Sequence, residues 1–238
     1  QVREILLRHQ DFITPFGPEM AELGQGATFL LGLEGAEHDR LHAVLRKVIR
    51  REDADRIGKL SRQFTAALLD NSPGEIDVIA DLIKRVPAEV CLRYFGLECD
   101  AVDRFGDWTM ALSAFLFGDP YGAPETRRLA MNARQRLDAV IDDALRRAKR
   151  RAGEGSLHPD QARTLVERLV LVQRDEPLSD GEIKAILMGL ATGFIPTNTL
   201  AASNMLQELL ARPDAWEIAR TAAANDDLAT MRAAVLEA

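Results

Sequence analysis

The sequence predicts an all-α fold, and three observations carry that expectation. Apolar residues recur at three- and four-residue spacing in most windows, and no segment of any length alternates with the period of two that a strand needs. Ala, Leu and Arg are frequent while aromatic residues are only 5%, a composition that favours helix over sheet. The turn-forming clusters, such as Asn71-Ser72-Pro73-Gly74, fall between the periodic segments rather than inside them.

In chain order, a short helix is expected over Val2–His9, then a Gly- and Pro-marked loop from Thr14 through Gly35. Glu37–Arg50 regains helical spacing, with Leu41, Val44, Leu45 and Val48 on one face. Ala54–Leu69 is the next helix, and Ile76–Phe95 reads as one helix bent near Pro87. Asp100–Phe117, Pro124–Arg151 and Asp160–Arg174 follow. Ser179, with Glu182 three residues on, forms a capping box that opens a long helix to about Arg212. Pro213 begins a short helix around Trp216 and Ile218, and Leu228 onward begins another.

The 238 residues suffice for a sizeable core, and one helical domain over 1–238 is expected. Hydrophobic residues at 47% exclude a disordered chain. A formal net charge of −7 argues against nucleic acid as a partner. Cys91 and Cys99 cannot form a disulfide framework; Cys91 reads as a core residue and Cys99 as an incidental thiol. The first residues open an amphipathic helix without an apolar h-region, so a cytoplasmic location is expected.

Ala185–Gln207 has no charged residue and is long enough to cross a bilayer. Its Thr192, Pro196, Thr197, Asn198, Thr199, Ser203 and Asn204 suit the buried central helix of a soluble protein better, so no membrane is expected as a partner. The basic run Arg146–Arg151 ends a helix, where cations complement the C-terminal dipole.

Two constellations could carry chemistry. Pro196 lacks an N–H and should kink its helix, freeing a carbonyl near Thr192, with Gly189 and Gly193 allowing close approach of another group. A ligand contact and a kinked core helix with hydroxyls bonded back to their own backbone are both open readings. His38 and His42 share a helical face at i,i+4. They could hold a metal, hold carboxylates of a ligand, or be plain surface histidines.

Together these residues resemble the cytochrome P450 family over essentially the whole chain. Glu34–His42 resembles the family's C-helix opening, which implies that His38 and His42 bind haem propionates; His42 stands where Arg is usual. Ile83–Leu97 resembles the segment entering the family's E helix, a structural element, so Cys91 is no haem ligand. The Ser179 helix resembles the I helix, and Leu209–Pro213 its exit into the J helix. Counted back from Pro213, Thr197 takes the oxygen-activating position with Asn198 beside it, and Gly193 the small-residue position facing the haem. Phe194 stands where Gly is normal and Pro196 where an acid is normal.

The resemblance implies an oxidoreductase, a monooxygenase or a variant using peroxide or hydroperoxide, that acts on a small, largely apolar substrate. Phe29, Leu30, Leu31, Leu190 and Phe194 would touch that substrate under the loop over Phe16–Leu33. Haem is the implied cofactor, and a ferredoxin-type or flavoprotein electron donor the implied partner. A haem-free partner or activator protein, for example of a glycosyltransferase, is the alternative. Val235–Ala238 resembles the start of the family's Glu-x-x-Arg motif, with Glu237 as its Glu. With Gln1 at the start, that makes the sequence read as the middle of a chain of roughly 400 residues, truncated at both ends and lacking the thiolate Cys loop, a size above the usual single-domain range.

Overall fold

In a computed structural model the protein is described at residues 16–24, 27, 29–72 and 74–237, together with Glu4, Arg8 and Asp11. Ten α-helices make up the described fold, with no strand among the described residues. They are α1 (Gly17–Gly24), α2 (Gly35–Val48), α3 (Asp53–Asp70), α4 (Arg85–Phe95) and α5 (Val102–Ser113), then α6 (Pro124–Gly153), α7 (Leu165–Val172), α8 (Asp180–Ala211), α9 (Pro213–Ala224) and α10 (Leu228–Glu237). The all-α expectation holds.

The long helix α8 is the axis of the bundle. Its side chains Ile183, Leu187, Ala191 and Ile195 are fully buried, and α4, α5 and α6 pack around it. At ~1.5 Å per residue it is roughly 48 Å long. Its start is set by the capping box foreseen from sequence: the Ser179 Oγ accepts from the Glu182 N–H at 3.2 Å, and the Ser179 N–H donates to Glu182 at 2.7 Å. Its end is set by Pro213, which opens α9. The backbone stays helical through Pro196.

The segment expected as a loop from Thr14 to Gly35 instead contains α1 and a 3₁₀ turn over Leu30–Gly32. Pro18 sits in the first turn of α1, where its missing N–H is no loss, and Met20 and Leu23 bury the inner face. The helix expected over Val2–His9 lies, apart from Glu4 and Arg8, outside the described residues.

Ile76–Phe95 is two elements rather than one helix bent at Pro87. A π-helical turn spans Val78–Ile83, capped by Asp77, whose carboxylate accepts from the Ile79 and Ala80 N–H groups at 3.0 Å each. The bonding pattern changes at Lys84, whose backbone stays right-handed helical, and Pro87 lies harmlessly in the first turn of α4. Similarly, α5 passes into a π-helical turn over Ala114–Gly118. Helix α7 begins only at Leu165, because the Thr164–Glu167 capping box, not Asp160, starts it.

Three polar groups lock the far side of the bundle. Asp53, Tyr94 and Arg168 are each about 5% exposed. Arg168 holds both Asp53 oxygens and donates to the Val48 carbonyl at 2.9 Å, while the Tyr94 hydroxyl donates to Asp53 at 2.9 Å. These bonds join the end of α2, the start of α3, α4 and α7.

Candidate functional site

A cavity of about 310 Å³ lies between α8 and the segment that leads into α2. The 3₁₀ turn presents Leu30 and Leu31, and Phe29 before it reaches the backbone of α8. The closest approach is at Gly189, where a Cβ would stand 3.1 Å from the Phe29 ring; a larger residue would force that ring aside. Helix α1 contributes Met20, and the π-helical turn contributes Leu116 and Phe117. Phe16 closes on Phe117 edge to face at 5.0 Å. The buried Arg134 of α6 fixes α1 by donating to the Leu23 carbonyl at 2.9 Å.

The floor is α8, through Ala185, Ile186, Gly189, Leu190, Thr192 and Gly193. Among the described lining residues, only His38 and Thr192 have polar side chains. Such a space suits a compact apolar molecule.

Most of the residues singled out from sequence meet here. Phe29, Leu30, Leu31, Leu190, Gly193 and His38 all line the cavity. Phe194 does not; it packs into the core, its ring 6.4 Å from Phe95. Thr197 and Asn198 are exposed and lie outside the lining. Five residues separate Thr192 from Thr197, about 140° around a helix, so the two hydroxyls face different surroundings. The Asn198 amide donates to the Phe194 carbonyl at 2.7 Å, and the Thr199 hydroxyl to Ile195 at 2.8 Å. Thr199 and Asn198 therefore follow the back-bonded reading of this helix, while Thr192 does not: its Oγ1 is buried without a partner.

His38 and His42 stack, rings 5.5 Å apart and 20° from parallel, on the outer part of α2. Arg40 between them ties α2 to α8, donating to Glu37 and the Pro177 carbonyl at 2.8 Å each and pairing with Glu182. Burial pushes the Glu182 carboxyl up, but the Ser179 N–H, Arg40 and the Ser179 hydroxyl outweigh it and hold the group below its ordinary value. A Cβ on Gly193 would meet nothing within 4 Å, so the space beside α8 is open there.

No group of three or more metal-ligating side chains forms among the described residues. Cys91 is enclosed in the core, and burial pushes its thiol far above the usual range, so it is not a thiolate. The Cys99 thiol donates to the Ala101 carbonyl at 3.6 Å. The basic run at the end of α6 is largely neutralised: Arg146 and Arg147 pair with Asp143, Lys149 with Asp180, and Arg151 with Glu167.

Met20, Leu116, Phe117 and Thr192 were not foreseen as cavity residues. Met20 and the two residues of the π-helical turn reach it through tertiary packing alone. Thr192 carried a sequence signal in Pro196, which has no N–H to return to the Thr192 carbonyl four residues earlier.

No family model matches the sequence. Among curated proteins, the chain is 27% identical over 225 residues to the erythromycin C-12 hydroxylase of Saccharopolyspora erythraea, covering 90% of this chain and 54% of that enzyme. Among solved structures it is similar to epothilone B-bound cytochrome P450epoK (TM-score 0.70, 19% identity, 87% of this chain and 50% of that one). It is also similar to CalO2 (TM-score 0.68, 18% identity, 93% and 51%). A third likeness is to P450BioI in complex with a fatty-acid-ligated acyl carrier protein (TM-score 0.67, 18% identity, 84% and 49%). The chain is therefore cytochrome P450-like: it carries the family's helical fold and spans about half the length of the relatives it matches.

Proposed function

We propose that this chain forms the substrate side of a haem-thiolate oxidoreductase that acts on a small, largely apolar molecule. The observation that carries the reading is the apolar 310 Å³ cavity set against the open patch at Gly193. Two features of the chain suit a haem. The open space beside Gly193 leaves room for a flat ring, and the stacked His38–His42 pair offers imidazole donors that could hold propionates. When bound, haem with a thiolate ligand would supply the oxidising chemistry. The described cysteines do not suit the thiolate role, for the reasons of burial and bonding given above.

The chain's own residues would enclose and orient the substrate. Phe29, Leu30 and Leu31 exclude water from one side and Leu190 from the other, while α1 closes the top through Met20. Thr197 could order a water on the exposed face of α8, with Asn198 beside it. Pro196 has no proton to pass on, which favours an oxidant that brings its own protons and electrons. Hydrogen peroxide meets that need, since R–H plus H₂O₂ balances as R–OH plus H₂O. A ferredoxin-type or flavoprotein donor would serve dioxygen chemistry instead. Helix α8 is long and apolar enough to cross a membrane, but half of its most apolar window is buried in the bundle, as in the core helix of a soluble protein.

The test is an absorption spectrum of this chain within a full-length protein of its relatives' size, which would supply the thiolate loop, reduced, with and without carbon monoxide. The expected result is the red-shifted band of a thiolate-ligated haem, weakened in His38→Phe through poorer retention. A chain that takes up no haem overturns the enzyme reading and supports a haem-free partner or activator. With haem present, faster turnover by dioxygen and an electron donor than by peroxide would overturn the peroxide reading alone.

A further inference from the structure

We propose that Thr192 Oγ1 is the polar anchor of the cavity, and that it selects a compact apolar molecule bearing one hydrogen-bonding oxygen, such as a ketone. The inference rests on the reading of this cavity as the substrate site.

Thr192 is 1% exposed, lines the cavity, and its hydroxyl has no hydrogen-bond partner. Buried polar side chains are nearly always paired, because water lost on burial must be replaced. The other two buried threonines obey that rule: Thr199 donates to Ile195 at 2.8 Å and Thr109 to Gly106 at 2.8 Å. Thr192 sits in the same kind of helix and could bond back in the same way. Its hydroxyl instead stays buried and unpaired, in a residue that lines the cavity.

Pro196 adds to the imbalance, since it offers no N–H to the Thr192 carbonyl. The only other polar side chain among the described lining residues, His38, is 40% exposed and can be hydrated. The remaining lining is aliphatic or aromatic, so a ligand that leaves the Thr192 hydroxyl unmet fits worse than one that meets it. A hydroxyl donates to a ketone or accepts from an alcohol, so one oxygen suffices for either class.

The test uses the full chain and a matched pair of probes, cyclooctanone and cyclooctane, with affinities measured by calorimetry. Thr192→Val removes the hydroxyl at nearly constant shape, and Thr192→Ser keeps it. The valine variant is expected to bind cyclooctanone about two- to ten-fold more weakly, the range of one neutral hydrogen bond. Cyclooctane should bind it unchanged, and the serine variant should keep the ketone preference. Equal losses for both probes would mean that Thr192 acts only through packing, and an unchanged ketone affinity would mean that the hydroxyl is not used. Either result overturns the proposal and leaves the cavity reading standing. Binding of neither probe by the unaltered chain overturns both.

Discussion

Arg168 and Asp53 lie 115 positions apart in sequence and form a two-oxygen ion pair sealed inside the bundle. Tyr94 donates a third bond to the same carboxylate, and the Arg50 N–H a fourth at 3.2 Å. Removing one partner leaves the other charge buried without compensation, which costs about 3–5 kcal/mol. Arg168→Ala and Asp53→Ala should each lower the unfolding free energy by that order in denaturant titrations. A loss below about 1 kcal/mol would show that the pair is solvated and not structural.

The same pair makes stability depend on acid. Hydrogen bonding from Arg168 holds the Asp53 carboxyl down at about 2 from an ordinary 3.8, against the opposing effect of burial. A carboxyl depressed in the folded state contributes stability above its unfolded value, and that contribution is lost as pH falls through the folded value. Asp53 should therefore stabilise the fold fully above pH 3.8 and lose that effect toward pH 2. Thermal melts across this window should show the loss in the native chain and a shallower slope in Asp53→Asn.

Gly96 ends α4 in the left-handed conformation, with φ of 81°. A Cβ there would stand 2.7 Å from the Thr164 side chain, which caps α7. Gly96→Ala combines backbone strain with a clash against a cap, and should destabilise by about 2–4 kcal/mol. The paired variant Gly96→Ala with Thr164→Gly should recover part of that loss, because Gly removes the Cβ and Oγ1 that the new Cβ would meet and is tolerated at a helix N-cap. Equal stability of the two variants would place the cost in the backbone alone.

Gly189 sets how closely Phe29 approaches α8. Gly189→Leu fills the cavity at its narrowest point and should cut cyclooctane affinity at least about tenfold, by loss of volume for an apolar ligand. Helix propensity favours Leu over Gly by somewhat under 1 kcal/mol, which offsets part of the crowding at Phe29. Undiminished hydrocarbon binding in this variant would show that the ligand sits elsewhere.

Much of the fold was legible because its signals are local. The Ser179–Glu182 box, Pro213, and the spacing of Leu41, Val44, Leu45 and Val48 act within one or two turns, and each marks an element as observed. Reading Gly17 and Pro18 as loop formers missed α1, since the same residues also open helices. The site was legible in part. Phe29, Leu30, Leu31, Leu190, Gly193 and His38 line one cavity, while Phe194 turns into the core and Thr197 outward.

By itself, then, the sequence determined an all-α chain with a long central helix, because helix starts, stops and apolar stripes depend on neighbours three or four residues away. Tertiary structure alone decided which face of that helix became a cavity floor, and so that Thr192 rather than Thr197 lines it. It also decided that Asp53 should meet Arg168. Those outcomes depend on how distant helices dock, and docking is settled by the packing of whole faces against one another, which no short window of residues contains.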